Sequence, residues 1–331
     1  MTRPGPGRFA ASVLLALAAL SGAARAEGGH AVIEPQDWSF SGFAGKYDKA
    51  QLQRGFQVFQ QVCTACHGLD RVRFRNLAEP GGPGFPEEAV KALAISWPYQ
   101  ISGELDDEGN PIDRLPGLAD AIVGPYKNDV QARAAQNGAL PPDLSLIVRA
   151  RSVESHAPWY SHWLHMLWDI ASANQDGGAD YLYGLLTGYR DQPPPFKRDA
   201  KGHLVEVPES EAGDGSTIER CATVSPSDEE GKPDVCNTLQ EGMYYNVAFP
   251  GHQIAMPPPM SKDVVVEYQP DAGAKASFEQ NARDVTSFLA WAADPSLDAR
   301  KELGWQVLLY LIITTLLLYI AKKRIWARVK H

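Results

Sequence analysis

The chain has 331 residues, enough for one large domain or two small ones. With 44% hydrophobic and 21% charged residues it is neither a disordered chain nor a polytopic membrane protein, and 25 prolines and 29 glycines suggest a loop-rich fold. A formal net charge of −9 gives no electrostatic footing for nucleic acid.

The first element is a leader. Arg3 and Arg8 form a positive start, Phe9 to Leu20 is apolar, and Ala24-Arg25-Ala26 is a small-x-small cleavage site. Residues 1–26 therefore read as a secretory signal peptide; the apolar run is too short for a transmembrane helix. The mature chain is expected to begin near Glu27. From Tyr47 to Val62, the apolar residues Leu52, Phe56, Phe59 and Val62 recur at helical spacing, which predicts a helix with one buried face.

That helix runs into Cys63-Thr64-Ala65-Cys66-His67. C-x-x-C-H is the attachment signature of a covalent c-type haem. Two thiols three positions apart reach the two vinyl groups on one porphyrin edge, and the following imidazole lies under the iron as fifth ligand. A redox dithiol is expected in a βαβ pattern, which is absent, and a zinc site needs two more ligands of similar spacing. One motif implies one haem. A sixth ligand would close the iron for electron transfer, whereas an open position would suit a ligand sensor. The mature methionines are Met166, Met243, Met256 and Met260. Met256 precedes Pro257-Pro258-Pro259, which favour a stiff extended loop, and Met260 follows them. Met166 lies among Trp163, Leu164, Leu167 and Trp168, as in ordinary apolar packing. His252 is a further nitrogen donor in the same loop.

Further along, Glu79–Pro86 and Pro193–Pro233 read as loops. Glu104, Asp106, Asp107 and Glu108 form an acidic cluster that is either a docking face for a basic protein or a solvated surface. Cys221 and Cys236 enclose 14 residues in a polar, acidic stretch. In an oxidising compartment a disulfide is the favoured reading over two free thiols, contributing roughly 3 kcal/mol by loop entropy. Ala276–Ala293 is a predicted helix, ended by Pro295, with a short linker beyond it. Leu303–Ala321 is 19 residues without a charge. At ~1.5 Å per residue it spans roughly 28 Å, one hydrocarbon core. Lys322, Lys323, Arg324, Arg328 and Lys330 follow, which places the tail 322–331 in the cytoplasm and residues 27–302 outside. With three basic residues in the leader and five in the tail, the stretch 27–303 keeps 23 basic against 40 acidic residues, a net −17. A field of that sign repels nucleic acid and steers a basic protein partner.

Beyond the haem motif, the chain carries Arg71-Val72-Arg73-Phe74-Arg75-Asn76-Leu77, then Asn137-Gly138-Ala139-Leu140-Pro141-Pro142-Asp143-Leu144-Ser145 running to Arg149-Ala150-Arg151, then Asp180-Tyr181-Leu182-Tyr183-Gly184-Leu185-Leu186-Thr187-Gly188-Tyr189, then the Met256 loop and a single C-terminal anchor. In these strings, taken in this order, the mature chain resembles the cytochrome c1 family of the bc1 complex, of bacterial type. The resemblance implies a mainly α cytochrome c fold with long loops and insertions, plus one C-terminal transmembrane helix. It implies Cys63 and Cys66 as thioether cysteines, His67 and Met256 as iron ligands, Arg151 as the partner of a haem propionate, and Asn137, Pro142 and Tyr181 as lining of the haem pocket. It implies partners: cytochrome b, a Rieske iron–sulfur protein and a cytochrome c acceptor, in a dimeric complex in the bacterial inner membrane. The complex would be a ubiquinol–cytochrome c oxidoreductase in which this chain is the electron carrier. Residues 152–179, rich in Trp and His, and 192–236 depart from the shorter mitochondrial pattern; the second resembles the disulfide-bearing insertion of some bacterial members.

Overall fold

The computed structural model describes residues 33–106, 108–152, 177–212, 217–225, 227, 232–263, 265–269 and 272–327. The leader, Asp107, most of the aromatic insertion with Met166, and the last four residues lie outside them.

Helix α1 (Lys49–Gln61) begins where Asp48 accepts hydrogen bonds from the amides of Ala50 and Gln51 at 2.8 and 3.1 Å. Helix α6 (Phe278–Ala293) begins where Ser277 accepts from Gln280 N at 3.1 Å. The two helices cross to form the centre of the core. The crossing is possible because position 55 is glycine: a Cβ there would sit 2.1 Å from the carbonyl oxygen of Asp284 and 2.7 Å from Phe288 Cβ. Around this contact Phe56 and Phe59 pack on the Phe288 ring at 5.5 and 5.7 Å between centroids. Burial of each such ring contributes about 1.5–3 kcal/mol. Beside the rings, Arg54 makes a two-pronged ion pair with Asp284 at 2.7 and 3.2 Å, and both residues are buried. Arg54 Nη1 also donates to Ala272 O at 2.7 Å, and Asp284 Oδ1 accepts a further hydrogen bond from Gln280 Nε2 at 2.8 Å.

Among the described residues, four shorter helices lie between α1 and α6 in the chain: α2 (Glu87–Ile95), α3 (Asp129–Ala135), α4 (Ile147–Ala150) and α5 (Gly177–Thr187). Among the described residues there are also twelve short strands. In the larger unit (Val32–Asp191, Gly242–Phe249 and Gln253–His331), β1 (Leu69–Arg73) pairs with β4 (Ala121–Ile122), and β2 (Ile101–Leu105) forms a hairpin with β3 (Pro111–Arg114). There, too, β11 (Tyr244–Asn246) lies between β5 (Tyr189–Arg190) and β12 (Gln253–Ile254). The expected helical core is present, but strand content among the described residues is considerable, so the mainly α expectation is met only in part.

The second unit comprises the described parts of Gln192–Glu241 with Pro250–His252. The stretch 193–233, read as loop from its polarity, instead carries strands β6 (Pro195–Arg198), β7 (Leu204–Glu206) and β8 (Ile218–Arg220) in one sheet, with β6 central. Strands β9 (Thr223–Ser225) and β10 (Val235–Asn237) form a second pair. Cys221 and Cys236 are joined in a disulfide with Cα atoms 5.2 Å apart. Glu219 lies close to both sulfurs, but disulfide sulfurs are not thiolate donors, and its carboxylate is held by Arg198 at 2.9 Å.

Helix α7 (Leu297–Trp326) follows α6 after only three residues and starts six residues ahead of the apolar run, so the linker is shorter than the sequence suggests. Its apolar stretch has a mean hydropathy of 2.0, and the helix is long and apolar enough to cross a membrane. Its first turns are clamped to the domain. Asp294 accepts from Arg149 and, at 2.5 and 2.9 Å, from Arg300. Lys301 Nζ donates to Phe40 O at 2.5 Å and Gly45 O at 3.2 Å.

Candidate functional site

The C-terminal end of α1 tightens into a single turn at Cys63–Ala65. The amides of Cys66 and His67 both donate to Cys63 O, at 3.1 and 2.9 Å, so the two thiols and the imidazole belong to one wound five-residue segment. Buried Thr64 ties the turn to α1 through Oγ1 to Gln60 O at 2.7 Å.

A second segment, 142–145, is zipped against the motif. Pro142 O lies 2.7 Å from His67 Nδ1, and Leu144 N donates to Gly68 O at 3.0 Å. Asp143 Oδ2 accepts from Asp70 N at 2.7 Å, and Ser145 Oγ accepts from Arg71 N at 3.0 Å. Gly124 closes the third side, where a Cβ would meet Gly68 N at 2.9 Å and the His67 carbonyl carbon at 3.0 Å.

A carbonyl oxygen can only accept, so His67 Nδ1 carries the proton and Nε2 keeps a free lone pair. Burial lowers the His67 pKa despite the opposing effects of the Pro142 carbonyl and Asp143, which keeps the ring neutral near pH 7. Neutral imidazole, with its far nitrogen anchored by a carbonyl, is the form that binds a metal. Cys63 and Cys66 are half-buried thiols not joined in a disulfide. Burial, aided by neighbouring Cys66, pushes the Cys63 thiol up to about 12, the reverse of what a nucleophilic redox dithiol needs. The donor set fits a porphyrin held through two sulfurs and one imidazole.

Cys66 also receives Gln136 Nε2 at 3.7 Å, and the same nitrogen contacts Tyr126 Oη at 2.6 Å. Neither Gln136 nor Tyr126 was signalled by spacing or composition. Asn137, the next residue, is exposed and adopts φ 50°, followed by Gly138 at φ 90°. Two successive left-handed residues reverse the chain after α3; Asn tolerates this conformation better than most residues do. Exposed Pro142 acts through its carbonyl rather than as a loop breaker.

A second cluster gathers Arg151, Tyr181 and Met256. Arg151 ends α4 and is exposed, with its charge close enough to Tyr181 to lower the phenol's pKa against the stronger effect of burial. The approach depends on Gly178 in α5, where a Cβ would fall 1.7 Å from Val148 O and 2.7 Å from Arg151 O. Tyr181, buried in α5, neighbours Tyr189, whose own hydroxyl is pushed up by burial and by Tyr181. Tyr189 Oη donates to Met256 O at 3.1 Å. Register sets this contact: Tyr189 faces Asn246 across the sheet, Tyr244 faces Ile254, and Met256 lies two residues beyond. Half-buried Met256 packs against the same core as Cys63, while Met260 is itself a buried core residue. Met243 lies just ahead of β11 and is half-buried.

Two acids of the acidic cluster, Glu104 and Asp106, are engaged in local structure. Arg114 grips Glu104 at 2.6 and 2.7 Å and Asp120 at 2.6 and 2.8 Å. Asp106 accepts from the amides of Glu108 and Asn110 in the β2–β3 turn.

The model of the cytochrome C1 family matches residues 38–329. Cytochrome c1 of Blastochloris viridis is 40% identical over 325 residues, covering 98% of this chain and 97% of the relative. A Bradyrhizobium diazoefficiens protein named cytochrome b/c1 is 38% identical over 97% of this chain, which spans 40% of that longer protein. The mitochondrial cytochrome c1 haem protein of Saccharomyces cerevisiae is 37% identical over 88% of this chain and 72% of the relative. The chain belongs to the cytochrome c1 family.

Proposed function

We propose that this chain is the membrane-anchored electron carrier of a bc1-type ubiquinol–cytochrome c oxidoreductase. It takes one electron from a Rieske iron–sulfur protein and delivers it to a cytochrome c. The observation that carries the reading is the 2.7 Å contact between His67 Nδ1 and Pro142 O beside two unpaired thiols. It leaves the far nitrogen of the imidazole able to bind a metal, next in the chain to two thiols not joined in a disulfide.

In this reading Cys63 and Cys66 would hold one haem c covalently, and His67 and Met256 would be its iron ligands, the Met256 backbone being held by Tyr189. When bound, the haem supplies a one-electron couple at its iron. The residues do the rest. Pro142 fixes the imidazole orientation and its basicity. Arg151 offers a guanidinium to a propionate, and Tyr181 excludes water beside it. Asn137 shapes the turn that carries Gln136 to Cys66.

Residues 1–26 act as signal peptide, 303–321 as the anchor and 322–331 as the cytoplasmic tail, with the haem domain 27–302 in the periplasm of a bacterial inner membrane. The net −17 of the exported part suits a basic cytochrome acceptor. Cytochrome b is the expected membrane partner, in a dimeric complex.

Purification in mild detergent from native membranes tests the proposal. Recovery with a b-type cytochrome and an iron–sulfur protein, and quinol-driven cytochrome c reduction blocked by quinol-site inhibitors, is expected. Recovery alone, or with a dehydrogenase, contradicts the complex assignment.

A further inference from the structure

Phe43 lies at the tip of a short turn and is 46% exposed. The turn is closed twice, by Ser41 N to Trp38 O at 3.0 Å and by Lys46 N to Ser39 O at 2.9 Å. Gly42 takes φ 68°, which turns the chain tightly at the tip. At Gly45 a Cβ would lie 2.0 Å from Ser41 O, so the two arms of the turn press on each other. Lys301 of α7 fastens both arms through Phe40 O and Gly45 O. The Phe43 ring then rests on Trp305, with centroids 6.2 Å apart.

Trp305 is 55% exposed and stands two residues into the apolar run that begins at Leu303. Aromatic rings at the start of such a run favour the boundary between headgroups and acyl chains. Lys301 lies one helical turn before Trp305 and exposed Lys46 follows the turn, two cations of the kind that suits anionic headgroups. None of the α7 side chains is buried, so the apolar belt of the helix runs on unbroken into the Phe43 ring.

We propose that the 41–46 turn is a second membrane contact, with Phe43 inserted into the lipid interface next to Trp305. The turn and the anchor helix then form a two-point footing, which fixes the tilt and rotation of the haem domain over the bilayer. A single helix sets its tilt and rotation only through its own interfacial anchors, and the turn adds a further anchor beside Trp305. The inference rests on the reading of α7 as a membrane anchor.

The test uses the full chain in lipid nanodiscs. A polarity-sensitive fluorophore is attached at one introduced cysteine: Phe43→Cys, Ala44→Cys on the same turn, or Trp305→Cys. The haem spectrum serves as the folding check and the unsubstituted chain as the labelling blank. The probes are a phospholipid carrying a nitroxide near the top of its acyl chain and, separately, aqueous iodide. The expected result is loss of most Phe43→Cys and Ala44→Cys emission to the lipid quencher, as for Trp305→Cys, with little loss to iodide. Quenching by iodide alone places the turn in water, and protection from both quenchers means that protein covers it; either overturns the inference. If Trp305→Cys also escapes the lipid quencher, the anchor reading itself fails.

Discussion

His67 is oriented by Pro142: the imidazole Nδ1 meets the proline carbonyl at 2.7 Å, although 75 positions separate the two residues. Because the hydrogen bond comes from the backbone, changing the Pro142 side chain does not delete it. The zipper from Pro142 to Ser145 makes the histidine's orientation a property of the fold.

The helix crossing sets the first prediction. Gly55→Ala places a methyl group against Asp284 O and Phe288, so the helices must separate. A loss of at least about 1–3 kcal/mol is expected, read as a lower thermal midpoint. Gly304→Ala, whose Cβ would meet nothing within 4 Å, serves as the neutral control.

The Arg54–Asp284 pair gives the second. Arg54→Leu leaves a fully buried carboxylate without its cation, at a cost of about 3–5 kcal/mol. Arg54→Leu combined with Asp284→Leu is expected to recover much of that loss in denaturant melts. Additive losses would show that the pair is not the source.

Acid sensitivity is the third. Burial alone would raise the Asp294 carboxyl, but hydrogen bonds from Arg300 and the charge of Arg149 hold it below the ordinary carboxylate range. A depressed native pKa stabilises above the unfolded value of about 3.9 and loses that contribution as pH falls through the native value. The junction of α6 and α7 is therefore expected to loosen only below about pH 4. Amide exchange around 294–301 reads this, and Asp294→Asn should loosen the junction already at neutral pH.

Much of this arrangement was legible in the sequence. The α1 helix, with its run into Cys63, follows from apolar spacing, and its observed bounds lie one to two residues inside the expected ones. The strands within 193–233 were hidden because each is only three or four residues long and carries charged side chains such as Lys197, Arg198 and Glu219, so no alternation shows. Gly55 reads as an ordinary helix-weakening residue until Asp284, 229 positions away, is placed against it. Tyr189 gave no signal by type or spacing; its role depends on the register of β5 with β11.

The fourth prediction concerns that tyrosine. Tyr189→Phe removes the hydroxyl that donates to Met256 O, a bond contributing about 0.5–1.5 kcal/mol. In the haem-loaded chain the methionine–iron absorption band should weaken and carbon monoxide should bind the reduced form several-fold more readily. Stability elsewhere is expected to be nearly unchanged.

The most direct test of the central claim is the visible spectrum of the purified, reduced chain with and without carbon monoxide, for the unsubstituted protein, Met256→Leu and Met260→Leu. Expected is a covalently bound low-spin haem that ignores carbon monoxide in the unsubstituted chain and in Met260→Leu, and that binds it readily in Met256→Leu. Ready binding by the unsubstituted chain, or sensitivity confined to Met260→Leu, would contradict it.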